Sequence, residues 1–264
     1  MRPQVVAHRG ASHEIAEHTL GAYVGALDAG AGALECDVRL TADGHLVCVH
    51  DRDLRRIASN KGLISTMDLA ELSELDFAAW KNPWADLDDE APDRDETLDQ
   101  VLTLRKLLET VADYERRIEV AIETKHPTRY GGLVEKRLVE MIRDFGWHEE
   151  GSPVRVMSFS YTALQRVERL APGVQLVQLV DKLSYWQMLK RVIGPDWIVG
   201  PGIELLRESP RVADSIRRRG RGLHAWVVNT EADLDRSLVA GASAVITDRP
   251  AYILDLLARR DLAS

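Results

Sequence analysis

Two acidic side chains, Glu35 and Asp37, alternate along an apolar segment with the pattern of a β-strand (residues 32–40). Successive side chains of a strand point to opposite faces, so residues two apart share a face. Two adjacent carboxylates on a buried strand cost folding free energy unless a cation neutralises them. Hard divalent metals prefer oxygen ligands of this kind. The pair therefore predicts metal-assisted chemistry.

Two histidines lie where strand-like runs give way to loops. His8 follows the apolar run at 4–7, and His50 follows the run at 46–49. Strand–loop junctions often carry binding and catalytic residues. Imidazoles exchange protons near neutral pH, so we interpret His8 and His50 as a candidate general acid and general base.

A third carboxylate and two cations complete the candidate site. Glu123 and Lys125 are again two apart on a strand-like run, and Arg9 follows His8. With Glu35 and Asp37, Glu123 would supply three oxygen ligands to one divalent cation and leave positions for water and substrate. A phosphate suits this set because Arg9 and Lys125 can neutralise its oxygens.

Strand-like runs alternate with amphipathic segments along the whole chain. The predicted strands are 4–8, 33–39, 118–123, 154–159, 174–179, 197–200, 223–228 and 244–247. This alternation favours an α/β fold, a (β/α)8 TIM barrel forming a single domain over residues 1–264. An open doubly wound sheet is the alternative. In a barrel the candidate residues would gather at the C-terminal strand ends, where barrel sites assemble.

A ninth apolar run, 45–50, follows strand 33–39 after a short turn and predicts an antiparallel hairpin. Pairing Leu40 with His45 would place Glu35 opposite His50 and would put Cys36 and Cys48 on opposite faces, which disfavours a disulfide. Residues 51–97 then form the one long interruption, interpreted as a small inserted cap. It contains a helix-like stretch at 67–75, Trp80 and Trp84, and an acidic tract at 86–96.

Composition limits the partners of the chain. Its net charge of −8 argues against nucleic acid or an anionic membrane as the main partner, since both reward a basic surface. The chain has no run of 18 apolar residues, and its first residues lack a leader pattern. We therefore expect a cytoplasmic protein with a small-molecule substrate and no stable membrane insertion. The sequence does not indicate the oligomeric state.

The ordered motifs of the chain resemble those of the glycerophosphodiester phosphodiesterase family. They are His-Arg-Gly at 8–10, Glu-His-Thr at 17–19, Glu-Cys-Asp-Val at 35–38, Leu-Val-Cys-Val-His-Asp at 46–51, Glu-Thr-Leu-Asp-Gln-Val-Leu at 96–102, Glu-Thr-Lys at 123–125, Phe-Ser at 159–160, Trp-Val-Val-Asn at 226–229 and Ile-Thr-Asp-Arg-Pro at 246–250. Each motif alone is weak, but the ordered set is specific. Two positions depart from the pattern: Glu96 stands where proline is usual, and His18 stands where asparagine is commoner.

The resemblance implies a barrel that uses one divalent cation, Mg²⁺ or Ca²⁺, to hydrolyse glycerophosphodiesters to sn-glycerol 3-phosphate and an alcohol. It implies Glu35, Asp37 and Glu123 as metal ligands and His8 and His50 as acid and base. By the same resemblance, Arg9 and Lys125 would hold phosphate oxygens, and Trp226 would border the glycerol end of the substrate.

Three other functions fit parts of the pattern. A phosphodiesterase of the lysophospholipase D type would keep the same residues and differ in the cap. An enolising barrel enzyme with Lys125 as base would need no histidine pair. A catalytically idle barrel would bind phosphodiesters without turnover.

Overall fold

The computed structural model describes residues 2–81 and 100–263, and within these ranges the chain folds into one nine-stranded sheet surrounded by helices. The strands are β1 Gln4–His8, β2 Ala33–Leu40, β3 Leu46–Cys48, β4 Glu119–Thr124, β5 Val154–Ser158, β6 Gln175–Val180, β7 Ile198–Pro201, β8 His224–Trp226 and β9 Ala244–Thr247. The predicted strands match these within two residues at each end.

Eight of the strands run parallel in the order β7-β6-β5-β4-β2-β1-β9-β8, and β3 pairs antiparallel with β2. The two ends of this path meet in parallel bridges between Val199 and Leu223 and between Gly202 and Trp226. The sheet therefore closes on itself, which confirms the predicted α/β TIM barrel and excludes the open sheet.

Helices follow the strands and cover the outside of the barrel. They are α1 Leu20–Asp28, α2 Arg55–Ala58, a 3-10 turn Ile64–Thr66, α3 Leu69–Ser73, α4 Leu104–Ala112, α5 Leu133–Asp144, α6 Tyr161–Leu170, α7 Leu183–Leu189, α8 Ile203–Glu208, α9 Arg211–Arg217, α10 Glu231–Ala240 and α11 Pro250–Ala263. Several begin at a threonine or serine whose hydroxyl accepts an otherwise unpaired backbone N–H, as Thr19 does for α1. Among the described residues, no helix is both long and apolar enough to span a bilayer.

The interior of the barrel is divided into layers. Side chains that point inward from successive strands form an apolar middle layer: Val6, Ala33, Ala121, Met157, Val177, Leu179, Ile198, Ala244 and Ile246. A polar group that includes Gln4, Glu119 and Arg155 lies below it, at the N-terminal strand ends. The candidate site residues lie above it, because the same period-2 alternation carries them to the C-terminal end.

The predicted register of the β2–β3 hairpin was wrong by one residue. Leu40 pairs with Leu46 instead of His45, because the Thr41 N–H bonds to the carbonyl of His45 and shortens the loop to residues 42–44. Gly44 has φ of +89°, as in three-residue hairpin loops with a left-handed residue. Glu35 therefore does not lie opposite His50. Because β3 ends at Cys48, strand alternation does not determine which way the His50 side chain points.

The same shift corrects the placement of the two cysteines. A one-residue change of register moves every side chain of a strand to the other face. Cys36 and Cys48 lie on one face and in the same buried core cluster, and both thiols are free.

Residues 51–81 pack over their own small core beside β3. Buried Leu54, Ile57 and Leu72 contribute to it, with Trp80 packed at its edge. The helix predicted at 67–75 is observed as the shorter α3. Trp84, the acidic tract 86–96 and Glu96 lie outside the described residues, so the cap at 51–97 stays a proposal.

Gly10, in the loop between β1 and α1, leaves no room for a side chain. Its φ is +86°, and a Cβ there would lie 2.5 Å from the carbonyl carbon of Ala22. We expect Gly10→Ala to lower the free energy of unfolding by about 2–4 kcal/mol, through left-handed strain plus this clash. Gly220→Ala is the control for strain alone, because Gly220 has φ of +67° and nothing lies within 4 Å of an added Cβ. We expect it to lower the free energy of unfolding by about 1 kcal/mol. Urea unfolding measures both changes. Equal losses of unfolding free energy in the two variants would show that the backbone near Ala22 moves away from the new Cβ without destabilising the fold.

Candidate active site

Three carboxylates meet at the C-terminal ends of β2 and β4. Asp37 on β2 pairs in register with Glu123 on β4, and Glu35 lies one inward position below Asp37. All three side chains are buried, and one oxygen from each lies within 4.8 Å of the others. Neighbouring parallel strands with inward residues at the same level produce this convergence directly.

Burial and mutual repulsion set the charge of this cluster. Burial and the charge of Asp37 raise the pKa of Glu35 well above its usual value. The same two causes raise the pKa of Glu123 to about 8, although Lys125 opposes them. Burial would also raise the pKa of Asp37, but the charge of Lys125, a hydrogen bond with His18 and the charge of Arg9 hold it well below its usual range. Negative charge at Glu35 and Glu123 is therefore incompletely compensated.

Arg9 and Lys125 are the cations beside the carboxylates. Lys125 Nζ lies 2.9 Å from Glu123 Oε1 and 3.0 Å from Asp37 Oδ1, and Arg9 Nε lies 3.1 Å from Asp37 Oδ2. These contacts with Asp37 are ion pairs, and Asp37 Oδ1 and Arg9 Nε are buried without a hydrogen-bond partner among the described residues. Protein groups therefore leave part of the cluster unsatisfied.

These features fit a divalent cation. The donors are hard oxygens from three carboxylates, two of which carry raised pKa values, and one buried oxygen lacks a hydrogen bond. A bound cation would offset the burial and the repulsion that raise those pKa values, and it would give that oxygen a ligand bond. Glu35, Asp37 and Glu123 could therefore hold a metal ion.

His8 contacts a carboxylate outside the acidic cluster, that of Asp248, which directly follows β9. Its Nδ1 lies 2.6 Å from Asp248 Oδ1, and its Nε2 points toward the acidic cluster, 3.9 Å from Glu35 Oε2. Asn229 and Ser12 donate hydrogen bonds to Asp248 at 2.6 and 3.1 Å. Burial would raise the pKa of Asp248, but the hydrogen bond and charge of His8 lower it to about 2. An ionised Asp248 thus orients the His8 ring.

His50 has a similar but more exposed arrangement. Its Nδ1 lies 2.9 Å from Asp51 Oδ1, and Arg56 donates to the other oxygen of Asp51 at 2.7 Å. Burial is the largest cause that lowers the pKa of His50, and the charges of Lys125 and Arg9 add to it. Both imidazoles therefore have a carboxylate on Nδ1 and keep Nε2 for other contacts.

One cavity of about 180 Å³ collects the candidate residues. Of the eight side chains singled out in the sequence, all but Asp37 line it: His8, Arg9, Glu35, His50, Glu123, Lys125 and Trp226. Trp226 donates a hydrogen bond to the Gly200 carbonyl at 2.7 Å and packs edge-on against Phe159. One wall of the cavity is therefore apolar and the opposite wall is charged.

Three supporting residues were given no role in the sequence-based interpretation. His18 lies 3.0 Å from Asp37 through Nε2 and 2.8 Å from the Tyr23 hydroxyl through Nδ1, and burial lowers its pKa to about 4. Glu17 pairs with Arg9, and Asp248 orients His8. Each lies inside a motif quoted above, so the signal was present, but spacing alone could not assign the contacts.

A closed parallel barrel that gathers these groups at its C-terminal mouth defines a TIM-barrel enzyme with a site suited to a phosphate ester. The model of the glycerophosphoryl diester phosphodiesterase family matches residues 8–252. The chain therefore belongs to this family of enzymes, as the sequence motifs predicted.

Individual relatives agree with this assignment. A Mycobacterium tuberculosis protein named as a probable glycerophosphodiester phosphodiesterase 1 is 42% identical over 252 residues, which cover 94% of this chain and 90% of that protein. A Bacillus subtilis glycerophosphodiester phosphodiesterase is 30% identical over 93% of this chain and 83% of its own length. An Oleispira antarctica phosphodiesterase, solved with the product sn-glycerol-3-phosphate, has the same fold, with a TM-score of 0.78, 24% identity and 96% coverage of each chain.

Proposed function

We propose that this enzyme hydrolyses glycerophosphodiesters to sn-glycerol 3-phosphate and an alcohol, using one divalent cation and two histidines. The observation that carries the proposal is one cavity lined by His8, His50, Arg9, Lys125 and two of the three clustered carboxylates, Glu35 and Glu123. A cation bound by those carboxylates supplies charge neutralisation at the phosphate oxygens.

The remaining chemistry falls to residues of the chain. Arg9 and Lys125 bind phosphate oxygens and stabilise the charge that develops on them. One histidine takes the proton of the attacking oxygen, which belongs to water or to the 2-hydroxyl of the substrate. The other histidine gives a proton to the alkoxide as the bond between phosphorus and the alcohol oxygen breaks. Hydrolysis of a cyclic phosphate would follow in the second case.

The test is product release from a panel of head groups, with a chelator and with Mg²⁺ or Ca²⁺ added back. We expect sn-glycerol 3-phosphate from glycerophosphocholine and glycerophosphoethanolamine, loss of turnover in chelator, and recovery with one of the ions. Glu35→Gln should abolish both turnover and cation binding measured by calorimetry, because it removes a buried ligand. Glu149→Gln is the control, since its carboxylate is 80% exposed.

Two outcomes would contradict the proposal. Faster cleavage of lysophosphatidylcholine than of glycerophosphocholine would favour the lysophospholipase D type. Tighter phosphodiester binding with added cation, but no turnover of any head group, would indicate a binding protein.

A further inference from the structure

A second, smaller pocket adjoins the catalytic cavity and is lined by cations. Arg39, Arg52, Arg129 and Lys125 contribute to its wall, and we refer to these four residues as the arginine pocket. Lys125 also lines the catalytic cavity, so the two spaces share this residue. The pocket lies at the C-terminal ends of β2 and β4, on the same side of the barrel as the catalytic cavity.

Its three arginines have no carboxylate within ion-pair distance among residues 2–81 and 100–263. Arg39 donates twice to the carbonyl oxygen of His50, at 2.9 and 2.7 Å. Arg129 donates to the carbonyl of Ser65 at 3.3 Å, and the guanidinium of Arg52 has no hydrogen bond or ion pair within those ranges. Guanidinium groups bind carboxylates and phosphates well, so three of them around one pocket, with no carboxylate partner among the described residues, favour an anionic ligand there.

The acidic groups near the pocket are already engaged. Asp51 accepts from Arg56 at 2.7 Å and contacts His50, while Glu123 contacts Lys125 at 2.9 Å. Lys125 is thus compensated by its own carboxylates, and the positive charge that persists in the pocket belongs to Arg39, Arg52 and Arg129.

The pocket also has the size of a small anionic group. Its cavity of about 40 Å³ is comparable to a few water molecules, which suits a carboxylate or phosphate. We propose that the arginine pocket binds a carboxylate or phosphate carried by the alcohol half of the glycerophosphodiester. This inference rests on the proposed function.

The position of Lys125 explains why the alcohol half of the substrate, and not the glycerol half, would reach the arginine pocket. Because Lys125 lines both spaces, a diester phosphate held by Lys125 would have the arginine pocket on one side and the apolar wall at Trp226 and Phe159 on the other. The glycerol carbons suit the apolar wall. His50 lies on the pocket side, since Arg39 binds its carbonyl. The leaving alcohol would thus pass His50 and place its own anion among the arginines.

The test compares glycerophosphoserine with glycerophosphoethanolamine, two head groups that differ by one carboxylate. We expect the wild-type enzyme to have the higher kcat/KM for glycerophosphoserine. Arg52→Gln should lower the ratio of the two kcat/KM values about tenfold, the usual scale for one charge-assisted hydrogen bond. Arg55→Gln is the matched control, because Arg55 lies in the same segment, is 68% exposed and pairs with Asp53.

Each result supports or overturns the inference. An unchanged ratio in Arg52→Gln and in a second variant, Arg129→Gln, with both proteins folded by circular dichroism, would overturn it. Inhibition of the wild type by inorganic phosphate that weakens in Arg52→Gln while the ratio stays constant would assign the pocket to a free anion and also overturn it. If the wild type hydrolyses neither diester, the proposed function itself fails.

Discussion

Replacing His8 by glutamine should lower kcat for glycerophosphocholine hydrolysis by about 10²–10⁴-fold, with KM changed only a few-fold. His8 lines the catalytic cavity, and its Nε2 is directed toward the acidic cluster because Asp248 holds Nδ1 at 2.6 Å. Glutamine keeps a polar side chain of similar reach but cannot transfer a proton near neutral pH. Steady-state kinetics with cation at saturation measure the effect.

A matched control and a second variant sharpen this test. His45→Gln changes a histidine that is 54% exposed and outside the cavity, so its kcat should stay within twofold of the wild type. Asp248→Asn retains His8 but removes the ionised carboxylate that orients it, and a loss of about 10–100-fold is expected. A His8→Gln enzyme as active as His45→Gln would remove His8 from the acid–base pair.

The convergence of the acidic cluster could be predicted because it depends only on two regular features. Alternation fixes which side chains of β2 and β4 point inward, and parallel pairing brings Asp37 level with Glu123. The spacing of two between Glu35 and Asp37, and between Glu123 and Lys125, thus contained most of the geometry. The barrel followed from the same alternation of strands and helices.

The sequence could not predict features that depend on irregular backbone or on contacts between residues far apart in the chain. The hairpin register depended on one backbone hydrogen bond at Thr41, which no spacing rule distinguishes from its neighbour. Asp248 and His8 are 240 residues apart, and their contact exists only because β1 and β9 are adjacent when the barrel closes. The arginine pocket likewise combines residues from separate loops.

His224 should make the enzyme less stable in acid. It lies buried in the lower polar layer of the barrel, where burial and the charge of Arg155 lower its pKa to about 3. In the unfolded chain a histidine titrates near pH 6.5, so between pH 6.5 and 3 the unfolded state binds a proton that the folded state does not. The free energy of unfolding should therefore fall by about 1.4 kcal/mol per pH unit in this window, or by about 2–3 kcal/mol between pH 7 and 4.5.

His224→Gln isolates this contribution because glutamine does not titrate. Glu35 and Glu123 act in the opposite sense over the same range: their raised pKa values favour the protonated folded state as pH falls. Both proteins share that effect, so the difference between their pH dependences belongs to His224. Urea unfolding with chelator at pH 7 and 4.5 should show the wild type losing about 2–3 kcal/mol more than the variant. Parallel curves would mean that His224 accepts its proton inside the folded barrel, with Arg155 and Glu119 rearranging to stabilise it.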